Sequence, residues 1–260
     1  VTRNAIISNY NVRASGGNER SHFSVSTNFF DQEGIILGSK FARASARVNA
    51  DHKFGNNTKV AVNLYASRLR TNGVIKDPGS RQLSPFYATV IRASRGRPAY
   101  NPVGTIHEGM IFSRDTQPFL NPIGFFTTRV NDREEWRTYG NLTIDHNIME
   151  GLVAKLNVGF DHNSGQVSQY QPAPYSRGGD TVLGSIDALS TTSYLIEGTI
   201  AYNTTFGEDH SFNVLAGAST QEFDNFNYGL SGQNFPTDKT LYYNLGSAEN
   251  QFIYSGKQTS

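Results

Sequence analysis

The period that recurs along this chain is two. In Lys40–Asp51 the even positions are Ala42, Ala44, Ala46, Val48 and Ala50, while the odd ones are Arg43, Ser45, Arg47, Asn49 and Asp51. Successive side chains of a strand point to opposite faces, so this segment is a strand with one apolar and one watery neighbour. The same reading predicts strands at Asn9–Ser15, Ser21–Phe29, Thr58–Ser67, Arg137–Asp145, Leu152–Asp161, Tyr194–Thr204 and Phe212–Ser219. A weaker candidate lies near Leu241–Tyr254. Aromatics gather near the expected strand ends at Tyr10, Phe29, Phe30, Phe54, Phe160, Tyr202, Phe206, Phe212 and Phe223.

The connections alternate too. Short turns are expected at Gly16–Glu19, Gly55–Asn57, Asn147–Gly151 and Gly207–Asp209, where Gly, Asn and Asp suit tight hairpins. Between them lie longer links at Asp31–Ser39, Thr71–Arg133 and Gly165–Ser190, and a polar Gly/Asn-rich stretch follows Gln221. Residues 71–133 are expected to form a long outer loop in which Leu83–Arg95 has helical spacing, whereas NPVG, QPF and NPIG read as turns. Short turns on one side and long links on the other are the build of an outer-membrane β-barrel. Strands of about 9–11 residues match its height. A soluble β-sandwich also alternates, but a packed inner face needs volume, and here several apolar faces are largely Ala and Val.

Composition removes several classes. The chain has 260 residues, 37% hydrophobic and 17% charged, with 12% aromatics and 25 glycines. Disordered chains are charge-rich and aromatic-poor, so disorder is not expected. Lys plus Arg (23) balance Asp plus Glu (22), which argues against a nucleic-acid partner or an electrostatic surface anchor. There is no cysteine, hence no disulfide, thiol chemistry or Cys-bound zinc. No apolar run reaches the roughly 18 residues of a membrane helix, and the opening VTRNAIISNYNV has no signal-peptide pattern. The expectation is a cytosolic protein, or a mature or internal piece of an exported one.

No catalytic, metal-binding or cofactor-binding constellation emerges, and substrate-contacting residues are not identifiable. His22, His52, His107, His146, His162 and His210 are scattered, and His107-Glu108 lacks the second histidine of a zinc motif. Arg133-Glu134-Glu135 reads as a solvated loop end. Arg92, Arg95 and Arg97 read as a helix terminus or a contact for a partner. The loop aromatics Phe86, Tyr87, Tyr100, Phe112, Phe119, Phe125 and Phe126 either pack the loop on itself or stack on sugars.

Ordered motifs then carry a family resemblance. The N-Y-N-x-x-x-S-G-G-N-E hairpin, the F-D-Q-E-G-I-I loop and the K-F-x-R-x-S-x-R-x-N-x-D strand follow one another within Ser8–Arg68. That stretch resembles the early barrel of the SusC/RagA-like TonB-linked outer membrane transporters of Bacteroidetes. Pro98–Thr105, Asn121–Gly124 and Asp209–Gly217 resemble later motifs of the same family. The resemblance implies an all-β fold: residues 1–260 would be an antiparallel transmembrane β-barrel segment, about 8–10 strands of a barrel of about 22. It implies energised import of a bulky nutrient, an oligosaccharide or peptide, with a SusD-like surface lipoprotein as lid. TonB would act through a plug outside this segment, membrane lipid would surround the wall, and no enzyme activity or cofactor is involved. The plug and the C-terminal half of the barrel are expected to lie outside these residues. The alternatives are a complete eight-stranded barrel and a soluble carbohydrate-binding or adhesion β-domain. Against the small barrel stand Arg43, Arg47, Asp51, Lys59, Arg137, Asp145, Lys155 and Asp161, all expected on the inner face, where a tight interior would bury them.

Overall fold

The computed structural model describes residues 2–73, 100, 102–103, 105, 110–112, 118–120, 122–173, 182–207 and 210–260. Its main body is one antiparallel meander. Strands β1 (Ile7–Gly17), β2 (Ser21–Glu33), β3 (Lys40–Phe54), β4 (Thr58–Asn72), β7 (Val130–Met149), β8 (Leu152–Gln171), β9 (Leu183–Phe206), β10 (His210–Gln233) and β11 (Asn250–Thr259) lie side by side in that order. A small ribbon, β5 (Met110–Phe112) with β6 (Pro118–Leu120), and a short helix α1 (Pro122–Thr128) belong to the long link between β4 and β7.

The four tight turns fall where the Gly/Asn/Asp signals placed them. Gly55, Gly151 and Gly207 take positive φ there, the conformation a two-stranded hairpin turn requires. Each hairpin is staggered against the last. Following partners across the sheet, the pair Gly17–His22 is level with Asp51, Ala61, Thr143, Asn157, Glu197 and Ser219. At that level the first hairpin has already turned, yet β9 runs on from Glu197 to Phe206. Such stagger is the shear that curls a sheet towards a barrel.

Paired residues share a face, so the register sorts the side chains. One row on the apolar face is Phe23, Ala50, Val62, Leu142, Val158, Ile196 and Thr220. No described residue covers it: Val12 is 69% exposed, Ile200 52% and Val158 36%. A sandwich would lay a second sheet there, and none is present among the described residues. Phe30 and Phe223 depart from the expected girdle. They pair with Arg43 and Ser193 and so sit on the opposite, polar face.

The strands are longer than the alternation indicated. Strand β7 begins at Val130, so Arg133-Glu134-Glu135 lies within the sheet rather than at a loop end. Strands β8 and β9 take in much of Gly165–Ser190, and β10 continues through Asn225–Gln233. Beyond the apolar band the same face is built of Ser168, Tyr170, Gly184 and Gly232 rather than aliphatic residues, so hydrophobic contrast fades while the ladder continues. The weak strand near Leu241–Tyr254 divides. Asp238–Ser247 is 3-10 helix, kinked at Leu241 and Asn244, and β11 starts only at Asn250. NPIG opens α1 rather than a turn, Pro122 standing at the helix start where its fixed φ is favourable. The helix expected at Leu83–Arg95 lies outside the described residues.

The one buried core among the described residues sits on this same face, above the apolar band. Tyr170, Val182, Phe235, Tyr242, Leu245 and Ala248 form it where the β10–β11 link folds back over β8, β9 and β10. Gly184 and Gly232, paired across β9 and β10, make the trough: a Cβ at Gly232 would stand 2.6 Å from Ala248 Cβ and 3.0 Å from the Phe235 ring. The link is tied down by the Tyr170 hydroxyl donating to Asp238 (2.6 Å) and the Tyr242 hydroxyl to Asp132 (3.3 Å).

Candidate functional site: the polar face of the sheet

Among the described residues, the face opposite the apolar band gathers charged and polar side chains at mid-strand. All eight charged residues expected to point inward share it. Arg137, for example, lies across from Ser67 and Asn163, Asp161 from Tyr139 and Ser193, and Lys59 from Lys53 and Asp145.

One row runs Arg13, Ser26, Arg47, Tyr65, Tyr139, Asp161, Ser193, Phe223. Its centre is a stacked assembly. The Tyr65 and Tyr139 rings lie 4.9 Å apart at 32°. The Arg47 guanidinium sits over Tyr65 at 5.4 Å and that of Arg137 over Tyr139 at 5.2 Å. Arg47 also donates to the Tyr139 hydroxyl at 3.4 Å, and Arg137 donates twice to Asp161, at 3.2 and 2.7 Å. These groups are about half exposed, so each contact contributes on the order of 0.2–1 kcal/mol, and their joint effect is to fix orientations. Beside them is an open depression of about 640 Å³ lined by Arg137, Tyr139, Asp161, Ser193, Gln221 and Phe223 among others.

One row nearer the short turns is an amide ladder. Asn63 donates to Asn141 at 3.1 Å, and Asn141 to Asn157 at 3.3 Å and Thr143 at 3.1 Å. Nearer still, His22 contacts Asp51 at 3.2 Å and Lys155 lies 3.8 Å from Asp145. A continuous polar, hydrogen-bonded surface suits contact with water and solutes and supplies no nucleophile–base pair.

The histidines stay apart. His52 bonds Ser21, His146 bonds Thr58, and His162 bonds Thr192, each an isolated side-chain contact. No group of three metal-ligating residues exists among the described residues. His107, Arg92, Arg95, Arg97, Phe86 and Tyr87 lie outside the described residues. The sequence reading missed the Tyr65–Tyr139 stack, although both residues occupy polar-face positions. The pairing depends on the β4–β7 register across the long link, which sets Tyr65 opposite Tyr139 and which no turn signal fixes.

Two relatives and two solved structures bear on this wall. TonB-dependent receptor P3 of Formosa agariphila is 26% identical over 92% of the chain, which spans 24% of that receptor. TonB-dependent receptor P26 of the same organism is 23% identical over 94% of the chain, again 24% of its own length. The chain thus spans about a quarter of these receptors. Among solved structures, the RagAB peptide transporter superposes with a TM-score of 0.76 at 20% identity, over 97% of this chain and 29% of that one. The 'closed-closed' state of the RagAB peptide importer gives 0.73 at 19% identity. No protein-family profile matches the chain. The resemblance to SusC/RagA-like, TonB-dependent receptors of Bacteroidetes therefore holds over nearly the whole chain, and the fold is that of a β-barrel wall.

Proposed function

We propose that these residues form part of the wall of an outer-membrane, TonB-dependent importer for a bulky nutrient, an oligosaccharide or a peptide. The observation that carries this reading is the two-faced sheet: an uncovered apolar band on one side and a continuous ladder of Arg, Tyr, Asp and Asn on the other. The first meets lipid and the second lines a wide aqueous lumen. The relatives support it, since those that match are TonB-dependent receptors and the superposable structures are peptide importers. The plug, the remaining strands and the TonB-contacting segment belong to the rest of the protein, and a SusD-like lipoprotein closes the outer opening. The long links face outward and the short turns face the periplasm. The segment does no bond chemistry.

Orientation is tested on intact cells. Protease sites placed in the Thr71–Arg133 link and in the Gly16–Glu19 turn should be cut and protected, respectively. Cleavage at the turn with the link protected overturns the proposal, as does a folded, monodisperse preparation of residues 1–260 in plain buffer. Two unpaired edge strands and a bare apolar face should make that fragment aggregate.

A further inference from the structure

The lumen face is electrically uneven from one edge of the sheet to the other. On β1–β4 it carries Arg13, Arg43, Arg47, Lys53 and Lys59 against the single acid Asp51, which His22 (3.2 Å) and Lys59 (4.0 Å) already flank. On β7–β8 every charge is matched: Arg133 with Glu135, Arg137 with Asp161, Lys155 with Asp145. On β9–β11 the face carries Asp187 and Glu197 and no Lys or Arg. Among the described residues Arg13, Arg43 and Arg47 have no carboxylate within ion-pairing distance. Arg13 and Arg47 flank the small Ser26 in one row, and Lys53 is directly paired with Lys59. Like charges facing each other across strands cost stability, and departures from local consistency of this kind gather where something else supplies the balance.

We propose that the β1–β4 sector of the lumen is a binding site for the carboxylates of the imported cargo, with Arg13, Arg43 and Arg47 as its ligands. Guanidinium forks match a carboxylate with two parallel hydrogen bonds, which an ammonium cannot do. The Arg47 fork is held in place beforehand, lying over Tyr65 and bonded to Tyr139, so less rotamer freedom is lost on binding. The stacked tyrosines beside it offer a flat apolar surface to the carbon skeleton that carries the acid. The matched charges of β7–β8 compete little, their acids being occupied. This inference rests on the import reading and narrows its cargo to acid-bearing molecules, either acidic peptides or uronic-acid oligosaccharides.

The test uses the purified full-length receptor in detergent and calorimetry with four probes: tetraglutamate, tetraglutamine, a uronic-acid tetrasaccharide and its neutral counterpart. At least one acidic probe should bind about 10-fold or more tighter than its neutral partner, and the preference should shrink at high salt. The arm showing the preference identifies the source of the carboxylate. The triple variant Arg13→Gln, Arg43→Gln, Arg47→Gln should abolish it. Should that variant fail to fold, the three single variants should each reduce the preference by about 3-fold. Equal affinity for acidic and neutral probes, or a preference that survives the variants, overturns the site. Energised uptake of the neutral probes alone would leave import standing and sink the site. Absence of energised uptake of any probe would sink import, while the purified protein still reports on the site.

Discussion

Strand β8 carries the same face through two surroundings. Leu156, Val158 and Phe160 are 39%, 36% and 37% exposed with no described residue laid over them, whereas Ser168 and Tyr170, on the same side further along, are 3% and 1% exposed. Below, on the import reading, membrane lipid covers the strand. Above, the chain supplies its own, folding the β10–β11 link over the sheet. Small apolar side chains serve the first region because lipid fills any gap around them. The second needs large rings set into a glycine trough, because protein must be packed against protein.

The contrast is broken most strongly by charge in the lower region. Val158→Arg should cost about 2–4 kcal/mol in a lipid-embedded barrel, while Asn157→Arg, one residue away on the lumen face, should cost under about 0.5 kcal/mol. Denaturant titration of the full-length protein folded in vesicles measures both. Equal costs would mean that the two faces do not meet different solvents.

Next in size is the trough. Gly232→Val puts methyl groups where Ala248 and Phe235 already stand, an overpacking worth about 1–3 kcal/mol. The expected result is local: protease cuts appear between Asn234 and Glu249 while the membrane-embedded strands keep their resistance. General loss of folding would show that the link and the lower sheet are one cooperative unit.

How much of this was legible in the sequence follows the same division. Within the band, alternation such as Ala44, Ala46, Val48 against Ser45, Arg47, Asn49 exposes the strand, its faces and its turns, because lipid and water enforce opposite chemistries. Higher up, Asn225–Gln233 and Gly165–Gln171 belong to strands without showing it, since the face that packs under the link is built of Ser168, Tyr170 and Gly232 rather than a run of aliphatic residues. Tyr170 and Phe235 meet 65 positions apart, and nothing local signals that the link returns to the sheet rather than to solvent. The inward charges of the lumen were visible as polar-face residues. Their partners were not, because pairing such as Arg137 with Asp161 depends on register across the β7–β8 hairpin.

Alkali should loosen the upper region selectively. Burial first, and then the bond to Asp238, hold the Tyr170 hydroxyl protonated well above its ordinary value of 10.0. Burial, the neighbouring Tyr243 hydroxyl and the Asp132 charge do the same for Tyr242. Both groups keep their protons longer in the folded state than in the unfolded one. Their stabilisation is therefore complete below about pH 10 and falls as pH rises further. Ultraviolet titration should show these two tyrosines ionising last, with protease sensitivity of the link rising in step. Early ionisation of both would mean that the link is not docked.

The smallest expected effect lies at the seam between the two regions. Glu134 accepts from Arg68 (2.7 Å), Arg70 (3.2 Å) and the Trp136 indole (2.9 Å), and the Arg68 guanidinium stacks over Trp136 at 4.7 Å. Trp136 stands in the row of Phe29 and Ala44, where the apolar band gives way. With both Arg68 and Glu134 about one-third exposed, water screens the pair, and Glu134→Gln should cost no more than about 1 kcal/mol. The cost should shrink further in high salt, as exposed pairs do and buried ones do not. A loss of several kcal/mol that salt leaves unchanged would move this cluster out of the watery seam and into the covered region above it, and the boundary drawn between the two would have to move with it.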